Sequence, residues 1–183
     1  QHIELTRTLA ERFNSRYGET FTVPEGFIPE VSARVYDLQE PTAKMSKSAA
    51  SDAGLLRILD PANVTKKKIM RAVTDADGEI RVDREAKPGV SNLLGIHSVL
   101  TGRALDEIVA EYEGRGYGDL KKGLVEVVEA TFAPIRERTE ELLGDRGELM
   151  RLLAQGAERA AERADATLRL VHERIGFPIG AAR

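Results

Sequence analysis

The sequence has no cysteine, and this absence excludes both disulfide bonds and thiolate metal sites. No apolar run approaches the roughly 20 residues that a membrane span requires, and the charged N-terminal stretch is unlike a secretory signal. An excess of one charge is also missing, because 27 basic residues face 30 acidic ones and the formal net charge is -3. A broad electrostatic attraction to nucleic acid is therefore not expected. We expect a cytoplasmic protein without membrane association.

Methionine is absent before Met45, and the chain begins at Gln1 with a helical pattern already under way. Apolar residues at four-residue spacing form one stripe, made of Leu5, Leu9, Phe13 and Tyr17. Gly18 follows as the expected C-terminal cap of this helix. A natural start inside a helix is improbable, so we interpret the chain as a fragment with further residues upstream.

The composition that is present, with 42% hydrophobic and 31% charged residues, is typical of a globular protein with a core. Residues 1 to 60 predict a mixed piece in which the first helix is followed by short β-favouring runs. The predicted strands are Phe21-Thr22-Val23, Phe27-Ile28-Pro29 and Ala33-Arg34-Val35-Tyr36. The run from Leu55 to Leu59 fits either a buried strand or a helical turn.

Residues 61 to 183 predict only helices. Asp60 is the expected cap of the first, with Pro61 at its first helical position, and Ser91 is the expected cap of a helix that ends before Gly102. Two more are predicted around 105–112 and 120–143. The last helix has an apolar stripe typical of packing along a bundle. Its members are Leu149, Leu153, Ala157, Ala160, Ala164, Leu168, Val171 and Ile175.

The segment Lys44-Met45-Ser46-Lys47-Ser48 is the strongest candidate for chemistry. Its two lysines stand three positions apart among small residues, which favours a mobile cationic loop. Such a loop suits a reaction in which pyrophosphate leaves, because the ammonium groups can approach the phosphates as negative charge builds there. A generic Lys-x-x-Lys is more often a solvated turn, so the pattern needs context.

That context comes from a resemblance. The five letters match the signature of class I aminoacyl-tRNA synthetases, and other stretches resemble the bacterial tryptophanyl-tRNA synthetases. These stretches are Gln1 to Arg7, Ala33-Arg34-Val35, Ala72 to Asp75, Lys87 to Leu94 and Tyr112-Glu113-Gly114. Tyrosyl enzymes share the fold and the loop, whereas the Lys87 to Leu94 stretch resembles the tryptophanyl branch.

The resemblance implies a mainly α chain. Residues 1–60 would be the C-terminal remnant of a Rossmann-type α/β catalytic domain with the lysine loop, and residues 61–183 a helical anticodon-binding domain. The whole enzyme would activate tryptophan with ATP, accompanied by Mg²⁺, and transfer it to tRNA(Trp), as a homodimer. The first ATP signature and the indole pocket would lie upstream of Gln1, so the fragment alone is expected to be inactive.

The same resemblance implies roles for individual residues. Lys47, assisted by Lys44, would stabilise the leaving pyrophosphate. The whole loop, Lys44, Met45, Ser46, Lys47 and Ser48, would contact ATP. Backbone groups near Val35 would meet the adenine, although a backbone contact places little demand on side-chain type and Val35 could equally be a core residue.

Other candidates have plainer interpretations. His2, His97 and His172 are too scattered for a metal site, and we expect His97 to be a core histidine with its hydrogen bonds satisfied. The Lys66-Lys67-Lys68 cluster fits a solvated helix face or a tRNA-backbone contact.

The alternative to an enzyme fragment is a non-catalytic helical module that binds tRNA or a protein.

Overall fold

A computed structural model of the protein describes residues 1–27, 34–48 and 51–177. Within these ranges the chain forms α-helices, one 3-10 turn at Asp52–Gly54 and no strand, which confirms a mainly α fold. The helices are α1 His2–Tyr17, α2 Ala62–Met70, α3 Pro88–Thr101, α4 Leu105–Glu111, α5 Tyr117–Gly144 and α6 Arg146–Ile175. None of these helices is long and apolar enough to cross a membrane.

The strand predictions are mostly wrong. Phe21 to Val23 lies outside any helix but pairs with no neighbour as a strand. The described part of the 33–36 prediction contributes one isolated antiparallel bridge, between Tyr36 and Lys44. Residues 28, 29 and 33 lie outside the described residues. The Leu55 to Leu59 run is neither a strand nor a helix. A β-favouring run forms a strand only where another extended segment pairs with it over several residues, and among the described residues the pairing is limited to the Tyr36–Lys44 bridge.

The chain divides into two compact units, one made of Gln1–Ile28 and Leu142–Arg183 and the other of Pro29–Glu141. The first unit contains α1, whose predicted C-terminal cap is confirmed by Gly18 with a φ of 88°. Its predicted stripe is not a core stripe, since Leu5 and Leu9 are 59% and 58% exposed and only Ala10 is buried. The domain boundary expected at residue 60 stays a prediction.

Helix α6, which is described along its whole length, contains no buried residue. Asp145 caps it by accepting a hydrogen bond from the Glu148 N–H at 3.0 Å, and Gly176 ends it with a φ of 76°. The expectation that its stripe packs along a bundle is therefore wrong. Alanines occupy the middle of that stripe, and a methyl group gains little by burial.

The second unit is organised around α3, the most completely buried helix. Its apolar side chains join those of α2, α4 and α5 in one core. The fully buried apolar members of this core are Leu38, Ile69, Val90, Leu93, Leu94, Ile108, Leu120, Leu124 and Val128. The predicted helix at 105–112 is confirmed, and α5 includes the predicted 120–143 helix.

Two predicted caps are wrong. Helix α3 begins at Pro88, three residues before Ser91, whose hydroxyl instead accepts a hydrogen bond from the Asp83 N–H at 2.8 Å. Helix α2 begins after Pro61 without a side-chain cap, because the Asp60 carboxylate binds Lys68 at 2.7 Å. In both cases the side chain binds a partner that is stronger or better placed than the backbone N–H groups at the start of the helix.

Candidate functional site

The lysine loop, residues 44–48, is held at its base by a short backbone pairing. The Met45 N–H donates to the Val35 carbonyl at 3.0 Å, and the Asp37 N–H donates to the Ala43 carbonyl at 2.9 Å. These bonds lie on either side of the Tyr36–Lys44 bridge. The structure thus places Val35 directly beside the start of the loop, although Val35 and Lys44 are nine positions apart in the sequence.

The loop presents both of its cations to solvent. Lys44 and Lys47 are both exposed, and neither lies within ion-pair distance of a carboxylate in the described parts of the chain. The Ser46 and Ser48 hydroxyls are 3.0 Å apart, and the Ser48 N–H donates to the Ser46 hydroxyl at 3.3 Å. Two uncompensated ammonium groups on one short turn form a site suited to a polyanion.

The segment that pairs with the base of the loop is fixed by hydrogen bonds to several other parts of the unit. Leu38 donates its N–H to the Gly54 carbonyl at 3.0 Å and accepts from the Val73 N–H at 2.8 Å. The buried Asp37 carboxylate accepts two backbone N–H groups of the following turn, at 2.8 and 3.1 Å. Gly54 is required for this packing, because a Cβ there would lie 1.7 Å from Asp37 Oδ1.

Asn92 on α3 provides the remaining attachment. Its Oδ1 accepts the Tyr36 N–H at 2.9 Å, and its Nδ2 donates to the Tyr36 carbonyl at 2.8 Å. A cavity of about 230 Å³ adjoins this contact, and its lining includes Val35, Tyr36 and Asn92 together with Arg34 and Arg84. The base of the loop is therefore attached to α3, the most completely buried helix of the unit.

Lys68 fixes the chain that follows the loop. Its Nζ donates to Asp52 at 2.6 Å, to Asp60 at 2.7 Å and to the Leu55 carbonyl at 2.9 Å. Burial alone would lower the pKa of Lys68, but the hydrogen bonds to Asp52 and Asp60 outweigh burial and raise it. Lys68 is therefore neither solvated nor available to RNA, whereas Lys66 and Lys67 are exposed.

Lys87 forms a second buried cluster, at the start of α3. Its side chain is 1% exposed, and Nζ donates to Asp75 at 3.0 Å, to Asp77, and to the Tyr117 hydroxyl at 3.0 Å. Burial opposes the charged form, but these acceptors outweigh it and raise the pKa of Lys87. Because Tyr117 begins α5, the cluster attaches α3 and α5 to the 75–79 turn.

The sequence did not identify Asn92 or Lys87 as functional positions, and it offered Lys68 only as part of a cluster on a solvated helix face or in contact with the tRNA backbone. Asn92 and Lys87 lie in the stretch that carried the family resemblance, but only the fold shows what each one binds. The Asp75-Ala76-Asp77 turn could have predicted a cationic partner, since two close carboxylates favour one. It could not have shown which lysine binds these carboxylates.

The remaining candidates are mostly structural. His97 is 2% exposed, as expected of a core residue, and its Nδ1 has no hydrogen-bond partner among the described residues. Burial lowers the pKa of His97. Among described residues, no group of three or more His, Cys, Asp or Glu could hold a metal ion.

Comparison with known proteins gives consistent results. Residues 1–133 match the family described as tRNA synthetases class I (W and Y). The tryptophan–tRNA ligase of Leifsonia xyli is 61% identical over 177 residues, covering 97% of this chain and 52% of that protein. The Mycobacterium leprae tryptophan–tRNA ligase is 54% identical, again over 97% of this chain and 52% of the relative.

Solved structures agree. The tryptophanyl-tRNA synthetase of Mycoplasma pneumoniae superposes with a TM-score of 0.86 at 30% identity, over 97% of this chain and 53% of that one. The Campylobacter jejuni enzyme, solved with ADP and tryptophan, gives 0.63 at 33% identity, over 96% and 54%. The chain spans about half the length of the relatives it matches. It belongs to the class I tRNA synthetases of the W and Y family and, as the resemblance predicted, its relatives there are tryptophanyl-tRNA synthetases.

Proposed function

We propose that this chain is the part of a tryptophan–tRNA ligase that carries the lysine loop, in an enzyme that activates tryptophan with ATP and transfers it to tRNA(Trp). The observation that carries the proposal is the pair of exposed lysines, Lys44 and Lys47, which pair with no carboxylate of the described residues and lie on a loop with a fixed base. The Campylobacter jejuni relative, with ADP and tryptophan bound, supports the choice of nucleotide and amino acid.

The proposed reaction begins when the tryptophan carboxylate attacks the α-phosphorus of ATP and pyrophosphate leaves. Negative charge then accumulates on the β- and γ-phosphates, where the Lys47 ammonium, assisted by Lys44, meets it. Mg²⁺ accompanies the nucleotide and is not held by a set of protein ligands. Met45, Ser46 and Ser48 complete the contact with ATP, and backbone groups near Val35 meet the adenine.

Attachment of the loop base explains why these lysines could act in the transition state. The Val35–Met45 hydrogen bond positions the loop base beside the segment proposed to meet adenine. The tip, from Ser46 to Ser48, makes no hydrogen bond to the rest of the protein within the described ranges, so the Lys47 ammonium can follow the phosphates as charge moves. The helical residues beyond 61 are proposed to contact the anticodon, and the full-length protein to be a cytoplasmic homodimer.

A broad cationic RNA surface is not part of this proposal. Lys121 is buried and donates to the Ala72 carbonyl at 2.8 Å, and Arg136 is paired with Glu129 at 3.2 Å. Lys122 pairs with Asp119 at 3.1 Å. Recognition of tRNA would therefore depend on stacking and hydrogen bonding by a few side chains.

The test is Lys47→Ala in the full-length enzyme, with tryptophan-dependent ATP–pyrophosphate exchange as the assay. We expect exchange to slow by about two orders of magnitude, equivalent to about 3 kcal/mol of barrier, with tryptophan affinity nearly unchanged. Lys66→Ala, which removes an exposed lysine from α2, is the matched control and should exchange normally. An unchanged rate in Lys47→Ala would refute the assignment of Lys47, whereas a full-length wild-type protein without exchange would favour the non-catalytic binding module.

A further inference from the structure

The contact between Asn92 and Tyr36 fixes two successive peptide units with one side chain. The Tyr36 N–H belongs to the peptide that also contains the Val35 carbonyl, and the Tyr36 carbonyl belongs to the next one. Asn92 binds both groups, at 2.9 and 2.8 Å, and the residue is only 7% exposed. Hydrogen bonds shielded from water in this way hold their geometry, because neither partner has a ready substitute.

The first of these peptides is hydrogen-bonded on both edges. Its N–H donates to Asn92, and its Val35 carbonyl accepts the Met45 N–H at 3.0 Å. A continuous path of hydrogen bonds therefore runs from α3 through the Val35–Tyr36 peptide to Met45, the second residue of the lysine loop. A displacement of Asn92 would shift the peptide and the loop base together.

Helix α3 is a rigid support for this contact. The buried Lys87 cluster fixes its first turn to the 75–77 turn and to α5. Gly89 brings that turn against the Val73 backbone, where a Cβ would lie 2.1 Å from the Val73 carbonyl oxygen. A side chain that must hold a site within a few tenths of an ångström needs a support of this kind.

We propose that Asn92 is a positioning residue for ATP, which sets the orientation of the Val35–Tyr36 peptide and the register of the loop base. It touches no substrate itself. The inference rests on the proposed function, since it assumes that the nucleotide meets this backbone. It predicts that a change at Asn92 alters ATP binding while tryptophan binding stays as it is.

The test is Asn92→Asp in the full-length enzyme. This substitution replaces the Nδ2 donor with an acceptor oxygen and leaves the size of the side chain nearly unchanged. The carboxylate can still accept the Tyr36 N–H but faces the Tyr36 carbonyl with a second acceptor. We expect the KM for ATP in pyrophosphate exchange to rise about tenfold, with kcat within about threefold and the KM for tryptophan unchanged. Protonation of the carboxyl restores the donor, so the defect should shrink as the pH is lowered from about 8 to about 6.

Asn14→Asp is the matched control. Asn14 binds the backbone of Phe21 in the same way, since its Oδ1 accepts the Phe21 N–H at 2.9 Å and its Nδ2 donates to the Phe21 carbonyl at 2.8 Å. The control suffers the same chemical change and should keep the wild-type KM for ATP. Asn92→Ser removes the contact without a buried charge, so it should raise the KM for ATP with no pH dependence of the defect.

The outcomes separate the inference from the proposed function. A wild-type KM for ATP in both Asn92 variants, or an equal rise in Asn14→Asp, would overturn the positioning role. If Lys47→Ala abolishes exchange in the same assay, that failure concerns Asn92 alone. If the wild-type enzyme shows no tryptophan-dependent exchange, the proposed function itself fails.

Discussion

Gly89→Ala should destabilise the second unit through a single steric contact. A Cβ at this position would lie 2.1 Å from the Val73 carbonyl oxygen and 3.1 Å from its carbonyl carbon. The conformation of Gly89 is helical, so alanine suits its backbone and only the collision matters. Relief requires a backbone shift of roughly 1.4 Å, because contacts of this kind are normally near 3.5 Å. Val73 cannot yield freely, since its N–H donates to the Leu38 carbonyl at 2.8 Å.

The magnitude follows from two opposing terms. Overpacking in a close-packed region costs about 1–3 kcal/mol, and the upper part of that range applies when backbone rather than side chain must move. Alanine recovers up to about 1 kcal/mol through its higher helix propensity. We expect the free energy of unfolding to fall by about 2 kcal/mol, or the Tm by about 6 °C in a chain of this size.

Gly156→Ala supplies a control with the opposite sign. Gly156 lies inside α6, and a Cβ there would have no neighbour within 4 Å. The same substitution should therefore stabilise α6 by up to about 1 kcal/mol. Urea denaturation followed by circular dichroism measures both variants. A transition midpoint for Gly89→Ala at or above that of the parent protein would refute the packing argument.

Two further predictions follow. The buried His97 has a lowered pKa, so the folded state binds fewer protons than the unfolded state, and stability should be lost as the pH falls below about 6.5. His97→Leu should remove most of that loss in urea denaturation series at neutral and acidic pH, and an unchanged pH dependence would refute the role of His97. The isolated 183-residue chain, which spans about half of its relatives, should show no pyrophosphate exchange with ATP and tryptophan in excess, whereas measurable exchange would contradict the proposed division of the active site.

The helices were predictable because their signals are local. The apolar spacing and Gly18 located α1, and the patterns beyond residue 60 located α4 and α5. The starts of α2 and α3 were predicted less well. Asp60 and Ser91 are good capping residues by type, but each binds a group eight positions away along the chain, Asp60 the Lys68 ammonium and Ser91 the Asp83 N–H. Capping preferences cannot anticipate such competition.

The strands and the last stripe failed for a different reason. Whether a run becomes a strand, or an apolar stripe becomes buried, depends on a partner surface rather than on the run itself. Leu153 and Leu168 on α6 are 58% and 48% exposed despite their regular spacing. Periodicity identified the helix correctly and could not identify what, if anything, covers it.

The two signature stretches differ in the kind of information they carry. Lys44 and Lys47 are exposed and unpaired in the described structure, so their chemistry is legible from residue type alone. In the stretch from Lys87 to Leu94, each polar residue is engaged elsewhere in the unit: Lys87 by Asp75 and Asp77, Ser91 by Asp83, and Asn92 by Tyr36. Residue type does not reveal such partners, and only the fold shows that this stretch attaches α3 to the base of the lysine loop. Loss of the attachment at Asn92 should therefore impair ATP binding without removing any group that contacts ATP, whereas loss of Lys47 should slow the reaction and leave the support intact.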